Sequence, residues 1–472
     1  MVTESVSECR QLNDTQQPTL LSASSPRYGM TTLTCLVIAS MIGAGVFTTS
    51  GYSLQSLGSP LRVMIAWCIG GLIALCGAVA YGALARQIPE SGGEYLYLSR
   101  RIHPFAGFIA GWVSLTAGFS GAIAAAAVTS EKYLLPADAR PDWLPERAFA
   151  LLIVVACGLG HSFVVRLSAV LQNTVVLLKL VAILAFLGCA AASIPAHPWQ
   201  WEPDSGAVSD PSALVLAMAT SVMWISYSFA GFNAAVYVAS EVPDTQRIVP
   251  RALLLGTCLT TLLYLLLNLT FVSAAPFRQL AGQADIAAVA AGAIGARPLE
   301  LLIRTIIGLA TFSSVAGMIM AGPRVYARMA DDGVFPGYFR SGARSVPRTV
   351  LLQSLLAILL ICGFQTLTGL LSYLGTTLSL SSAVTVAALF RGTRRISTPG
   401  AGRDSAAAVA IPLPLRHAVA ALIYIVATLC FIVLMTIHEP RQLWGTLATI
   451  VAGALLWRAS ARASRNRCLG SD

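Results

Sequence analysis

The sequence predicts an all-α, polytopic membrane protein of about twelve transmembrane helices, and three observations carry that prediction. The chain is 56% hydrophobic and only 11% charged, with a mean hydropathy of +0.73, whereas soluble domains carry about 25% charged residues. Its apolar residues gather in runs near the ~20 that a helical span requires. Its basic residues concentrate in alternate loops.

The first span, about 31–57, carries Gly43-Ala44-Gly45 near its middle. The second (60–85) and third (104–130) are rich in glycine. Gly70, Gly71, Gly77, Gly82, Gly107 and Gly111 read as small residues that let helices approach closely. A short outward loop, Glu131–Arg147, leads to the fourth span (147–164), and the fifth (169–192) holds Lys179. After a second outward loop, His197–Pro211, the sixth span (212–239) carries Ala230-Gly231 near its middle. Spans follow at 249–274, 298–328, 349–363 and 366–390. A polar loop, Arg391–Arg416, with Pro399, Gly400 and Gly402, separates them from spans at 416–437 and 441–458.

Walked along alternating loops, 22 Lys and Arg fall on one side and 8 on the other, with Lys179 inside a span. The richer side is cytoplasmic by the positive-inside rule. Both termini are therefore expected on the cytoplasmic side of a cell (inner or plasma) membrane, with residues 1–28 and 460–472 as cytoplasmic tails and 29–459 as one transmembrane domain. The first 26 residues lack an apolar h-region, so no cleaved signal peptide is expected. The loops account for the net charge of +10, which removes the argument for a nucleic-acid partner. The ten cysteines lie in spans or cytoplasmic tails, so no disulfide framework is expected. The five histidines are scattered at span edges, no metal-ligand spacing occurs, and no cofactor is expected.

The paired interruptions point to a site. Unwinding a helix in a membrane frees N–H and C=O groups that must find partners. Half-helix N-termini attract an anionic group such as a carboxylate, and freed carbonyls attract an ammonium or a cation. A zwitterionic amino acid at the midplane suits both, and interrupted segments in corresponding places of two halves mark transporter sites. Close helix packing is the plain alternative for Gly43, Gly45 and Gly231. The five-span offset between the breaks would make the second half inverted relative to the first.

Lys179 lies within AVLQNTVVLLKLVAILAFLGC, residues 169–189. An ammonium at that depth is costly and needs a partner inside the protein. Snorkelling toward Arg166 is the alternative; ion replacement, proton handling or gating is the functional reading. An ammonium has three donors and no acceptor, so freed carbonyls near Gly43 and a hydroxyl of the eighth span, Ser313 or Ser314, are its expected partners.

Several stretches resemble one family. Met41-Ile42-Gly43-Ala44-Gly45-Val46-Phe47 resembles the broken first span of the amino acid–polyamine–organocation (APC) superfamily, and Ile88-Pro89-Glu90-Ser91-Gly92-Gly93-Glu94-Tyr95 the loop after its second span. Val165-Arg166-Leu167 through Leu178-Lys179-Leu180 is similar to the fifth-span entry of L-type amino acid transporters. Tyr227-Ser228-Phe229-Ala230-Gly231-Phe232-Asn233, with Ser240-Glu241-Val242-Pro243, resembles their sixth span. Thr311 to Gly317 and Pro323 to Gly333 resemble their eighth span and following loop.

The resemblance implies a LeuT-like five-plus-five inverted repeat, about 31–192 and 212–390, with spans 1 and 6 broken and two extra helices at about 416–458. It implies secondary, sodium-independent amino acid transport by alternating access, not an enzyme, as an exchanger or proton-coupled symporter. Ile42, Gly43, Ala44, Gly45, Val46, Ser120, Tyr227, Ser228, Phe229, Ala230 and Gly231 are then the substrate-binding candidates. Tyr227 falls at the outer gate, and Lys179 where a lysine stands in for sodium, with Ser313 and Ser314 in coupling. The partners implied are the amino acid, the lipid bilayer and, for a symporter, protons. Two departures concern the substrate: Ala44 replaces a frequent serine and Phe232 a frequent tryptophan. No cysteine lies in Glu131–Arg147, so no disulfide-linked heavy chain is expected. No Asp or Glu lies in the core of a span, so neutral amino acids are expected. A channel or an amino acid sensor is the rival reading; a membrane-embedded enzyme would need paired acids, which no span offers.

Overall fold

A computed structural model describes residues 28–136, 139–163, 168–193, 201, 210–340, 345–391, 414–438 and 440–469. The N-terminal tail to Arg27, Arg166 and most of the Arg391–Arg416 loop lie outside them. The described residues are helical without strands. Helices run α1 Met30–Met41, α2 Ala44–Leu57, α3 Pro60–Gln87, α4 Gly93–Arg101, α5 Pro104–Val113, a π-helix Ser114–Gly121, α6 Ala122–Leu134, α7 Ala148–Phe163, α8 Ser168–Ser193 and α9 Pro211–Ser228. A 3₁₀ segment, Ala234–Glu241, follows. Then come α10 Thr245–Ser273, the single turn α11 Phe277–Leu280, α12 Ile286–Asp331, α13 Ser345–Gly363, α14 Leu367–Ala387, α15 Leu415–His438 and α16 Arg441–Leu469.

Among the described residues, seven helices are long and apolar enough to cross a membrane, and the bent pair α1–α2 makes an eighth. Four shorter apolar helices, Ala148–Gly160, Leu177–Ser193, Pro347–Gly363 and Leu443–Ala459, fall on the remaining expected spans. The chain is a multi-pass membrane protein.

Local chemistry explains the boundaries. Pro60, Pro104 and Pro211 open α3, α5 and α9, where a missing N–H costs nothing. Asp210 caps α9 by accepting from Ser212 N and Ala213 N, both at 3.2 Å. Those bonds, with one from the Ser212 hydroxyl, hold its carboxyl below the usual carboxylate range. Gly58 (φ +67°) closes α2. Within α12 the helix breaks at Gly295 and Ala296 (φ +55°), just before Pro298, so the expected eighth-span start at 298 follows another helical segment.

The glycines read as packing residues are packing residues. A methyl at Gly70 would lie 2.5 Å from Ile225, and one at Gly111 would lie 2.4 Å from Met329. They let α3 lie along α9 and α10, and the third span along α12. The first span also packs on the sixth and seventh, and the fourth on the ninth. The fifth, α8, lies on α12, while α14 and α15 flank α9.

Candidate functional site at the crossing of two helix breaks

α1 and α2 are bent by 43° at Ile42 (φ −72°, ψ 84°) and Gly43 (φ −122°, ψ −158°). No side chain caps α2, so the N–H groups of its first turn are left for another acceptor. Ile42, Ala44, Gly45 and Val46 are buried. Gly43 is half-buried, and a methyl on it would meet nothing nearer than Met41 O at 3.9 Å. The open flank of the break is therefore at Gly43.

α9 ends at Ser228, and residues 229–233 turn before the 3₁₀ segment resumes. Gly231 has φ +103°, a conformation that side chains disfavour. The two breaks touch. A methyl at Gly45 would lie 2.4 Å from Ser228 Oγ and 2.8 Å from its Cα, and one at Gly231 would lie 2.7 Å from Ser40 O. Gly45 and Gly231 hold the two backbones in close contact, while a methyl at Gly43 would leave room beside it. The Ser228 hydroxyl is buried and has no partner among the described residues; the same holds for Ser120, on the π-helix of the third span. π-bulges within helices are frequent at functional sites. The unpaired Ser228 hydroxyl at the contact of the breaks and the uncapped helix start can receive polar groups of a ligand.

Tyr264 of α10 ties the breaks together. Its hydroxyl lies 2.5 Å from Met41 O and 3.1 Å from Ser228 O, and its one proton serves these two freed carbonyls. Below it Asn268 donates to Tyr264 O at 2.8 Å and bonds Ser50, which accepts from Trp67 Nε1 at 2.8 Å. Sequence reasoning missed this network. Its signal was the polar stripe Thr257, Thr260, Tyr264 and Asn268, at helical spacing in a span read only as apolar; all four are fully buried.

Lys179 faces the interior. Ala182, Ile183 and Phe186 share its buried face of α8, while Leu177, Leu178, Val181 and Leu184 are more than half exposed on the other. Its ammonium donates to Ile42 O at 2.5 Å, and a small apolar pocket lined by Phe47, Phe271 and Ile307 adjoins it. No acidic partner pairs with it among the described residues. The expected bond to Ser313 or Ser314 is not among the described contacts. Both hydroxyls donate to Ala310 O, at 2.8 and 3.0 Å, the back-bond typical of a mid-helix serine.

Tyr227 is buried in a cluster with Val113 and Ala117 of the third span, Trp224, and Val315 of the eighth. Ala230 packs beside this cluster. Phe229 instead packs tilted against Trp67 and edge-on against Tyr264, at 6.0 and 5.2 Å, and Phe232 edge-on against Tyr81 at 5.2 Å. The two phenylalanines thus belong to the α3–α10 side of the break, and Tyr227 to the third- and eighth-span side. Tyr227→Ala is expected to slow counterflow about tenfold or more, since truncating a buried aromatic removes about 3–5 kcal/mol of packing. Tyr227→Phe should behave as wild type. Unchanged counterflow in Tyr227→Ala would end the expectation that Tyr227 gates the site.

The model of a family described as amino acid permease matches residues 28–456. The chain is 26% identical over 367 residues to the large neutral amino acids transporter small subunit 2 of Mus musculus, covering 76% of this chain and 68% of that protein. It is 28% identical over 310 residues to an uncharacterised transporter of Mycobacterium tuberculosis, covering 66% and 67%. It is 24% identical over 318 residues to the Asc-type amino acid transporter 1 of Homo sapiens, covering 66% and 60%.

Proposed function

The chain belongs to the amino acid permease family, and from that premise we propose that it carries neutral amino acids across a cell membrane by alternating access, without sodium, as an exchanger or proton-coupled symporter. The observation that carries the reading is the contact of two helix breaks with Lys179 donating to Ile42 O. The substrate carboxylate meets the uncapped start of α2 beside Gly43, and the amino group meets carbonyls freed at the two breaks. The lysine supplies the fixed positive charge that a bound sodium would supply. Ten spans in two inverted halves of five, followed by two extra helices, fit the contacts between spans 1 and 6, 2 and 7, 3 and 8, and 4 and 9. The arginine-rich loops support cytoplasmic termini. The names of two relatives, a large neutral amino acids transporter small subunit and an Asc-type amino acid transporter, support the substrate class.

Neutral substrates follow from the acids as well. The carboxylate that touches the sixth-span break, Glu94 on Asn233, is already engaged by other donors. A cationic side chain at the breaks would lack a free counter-charge, and an unpaired buried charge costs several kcal/mol. In proteoliposomes, counterflow of alanine, serine or leucine is expected to exceed that of arginine or lysine by about tenfold or more. Replacing sodium with choline should leave it unchanged. Faster arginine or lysine, or strong sodium stimulation, would overturn the reading.

A further inference from the structure

Glu94 opens α4, the short helix after the second span, and is buried at 6% exposure. Its carboxylate collects four neutral donors. Oε1 accepts from Tyr81 Oη at 2.5 Å, Ser382 Oγ at 2.9 Å and Asn233 Nδ2 at 3.2 Å, and Oε2 accepts from Ser381 Oγ at 2.7 Å. No cation pairs with it among the described residues. The donors come from three elements: Tyr81 from α3, Asn233 from the sixth-span break, and the serines from α14. A carboxylate this deeply buried is stabilised only while its donors stay assembled.

The rest of α4 follows the same pattern. Gly92 (φ +149°) and Gly93 (φ +56°) shape the turn that presents Glu94, and a methyl at Gly93 would lie 2.3 Å from the Tyr237 ring. At the other end Arg101, buried, donates to Ala388 O and Arg391 O, both at 3.0 Å. So α4 is fastened to the end of α14, while Glu94 reaches across to the second span and the sixth-span break. About nine residues along α14, on the other side of the breaks, Trp224 Nε1 donates to Ser372 Oγ at 2.7 Å. α14 thus bonds the sixth span above the breaks and the Glu94 cluster below them.

We propose that Glu94 is a positioning residue that holds shut the route from the breaks to the arginine-rich side, by binding α14 to the second and sixth spans until the substrate is released there. This rests on the transport reading. The carboxylate itself touches no substrate; it acts through the spans that it joins. Opening that side separates Tyr81 and Asn233 from Ser381 and Ser382 and leaves a buried charge short of donors, so closure is favoured. Glu94→Gln keeps the shape but removes the charge that makes these bonds strong.

The test is counterflow of a labelled neutral amino acid that the wild type accepts, chosen among alanine, serine and leucine. Protein of known orientation in proteoliposomes is assayed with label supplied to either face. Weakening the closure of one side shifts the population toward the state open there, and apparent affinity follows the fraction of competent protein. For Glu94→Gln the KM at the arginine-rich face is expected to fall about fivefold, and the KM at the opposite face to rise by a similar factor. The double variant Ser381→Ala, Ser382→Ala should move both in the same directions, and Glu94→Asp should lie between Glu94→Gln and wild type. A merely structural role lowers the amount of active protein and moves neither KM. Unmoved KM values, or values that move together on both faces, would overturn the proposal. Failure of the wild type to transport any neutral amino acid would instead overturn the transport reading beneath it.

Discussion

Lys179→Met is expected to reduce transport to below about a tenth of wild type. Methionine keeps a long unbranched side chain in the same apolar pocket, so the packing of Ile183, Phe186 and Phe271 survives. What disappears is the donor to Ile42 O, and a buried carbonyl left unpaired costs about 1–3 kcal/mol. The carbonyl sits in the break itself, so that cost falls on the orientation of the first span and not on the membrane domain at large. Counterflow per correctly folded molecule, set against monodispersity in detergent, separates the two. A variant that is monodisperse and still exchanges at wild-type rate would show that the lysine is a packing residue. Transport by the wild type that is indifferent to a pH gradient, with exchange intact, would favour a fixed charge; acceleration by an inward proton gradient would favour symport.

The second large effect separates the glycines of the first break. Gly45→Val is expected to abolish transport and lower thermal stability, because even a Cβ there would lie 2.8 Å from the Ser228 Cα and one backbone must move. Overpacking of this kind costs about 1–3 kcal/mol and more when the backbone cannot yield. Gly43→Ala is expected to behave differently. The methyl enters open space and the backbone angles suit alanine, so the melting temperature should match wild type. It intrudes where the carboxylate is placed, and substrate affinity is expected to fall about tenfold. Equal affinity in Gly43→Ala and wild type would move the carboxylate away from Gly43.

Much of the fold was legible because a membrane imposes it. Runs of apolar residues near 20 gave most of the long apolar helices, and Gly43 and Gly231 gave the breaks, since a helix in lipid is interrupted only where the freed groups have partners. The partners themselves were less legible. Lys179 is conspicuous as a charge among leucines, yet among the described residues its acceptor is the Ile42 carbonyl, and Ser313 and Ser314 bond Ala310 O instead. A serine in mid-helix can satisfy itself on its own backbone, and sequence carries no sign of whether it does. Tyr264 and Asn268 were overlooked in an apolar span although their spacing from Thr257 and Thr260 marks one polar face. The sequence around Glu94 marks only a loop; its carboxylate meets Ser381 and Ser382, nearly 290 positions away, and no local pattern announces that contact. The glycines of the breaks combine two roles that sequence cannot separate: Gly45 and Gly231 bring backbones together, and Gly43 leaves a space.

The most direct test of the central claim is a structure of the protein determined with a bound neutral amino acid. The account predicts density between the two breaks, with the carboxylate against the first-turn N–H groups of α2 at Gly43–Gly45, the amino group on freed carbonyls at the breaks, and Lys179 still bonded to Ile42 O. A ligand bound outside the breaks, or one whose carboxylate is held by an arginine of the loops, would contradict it.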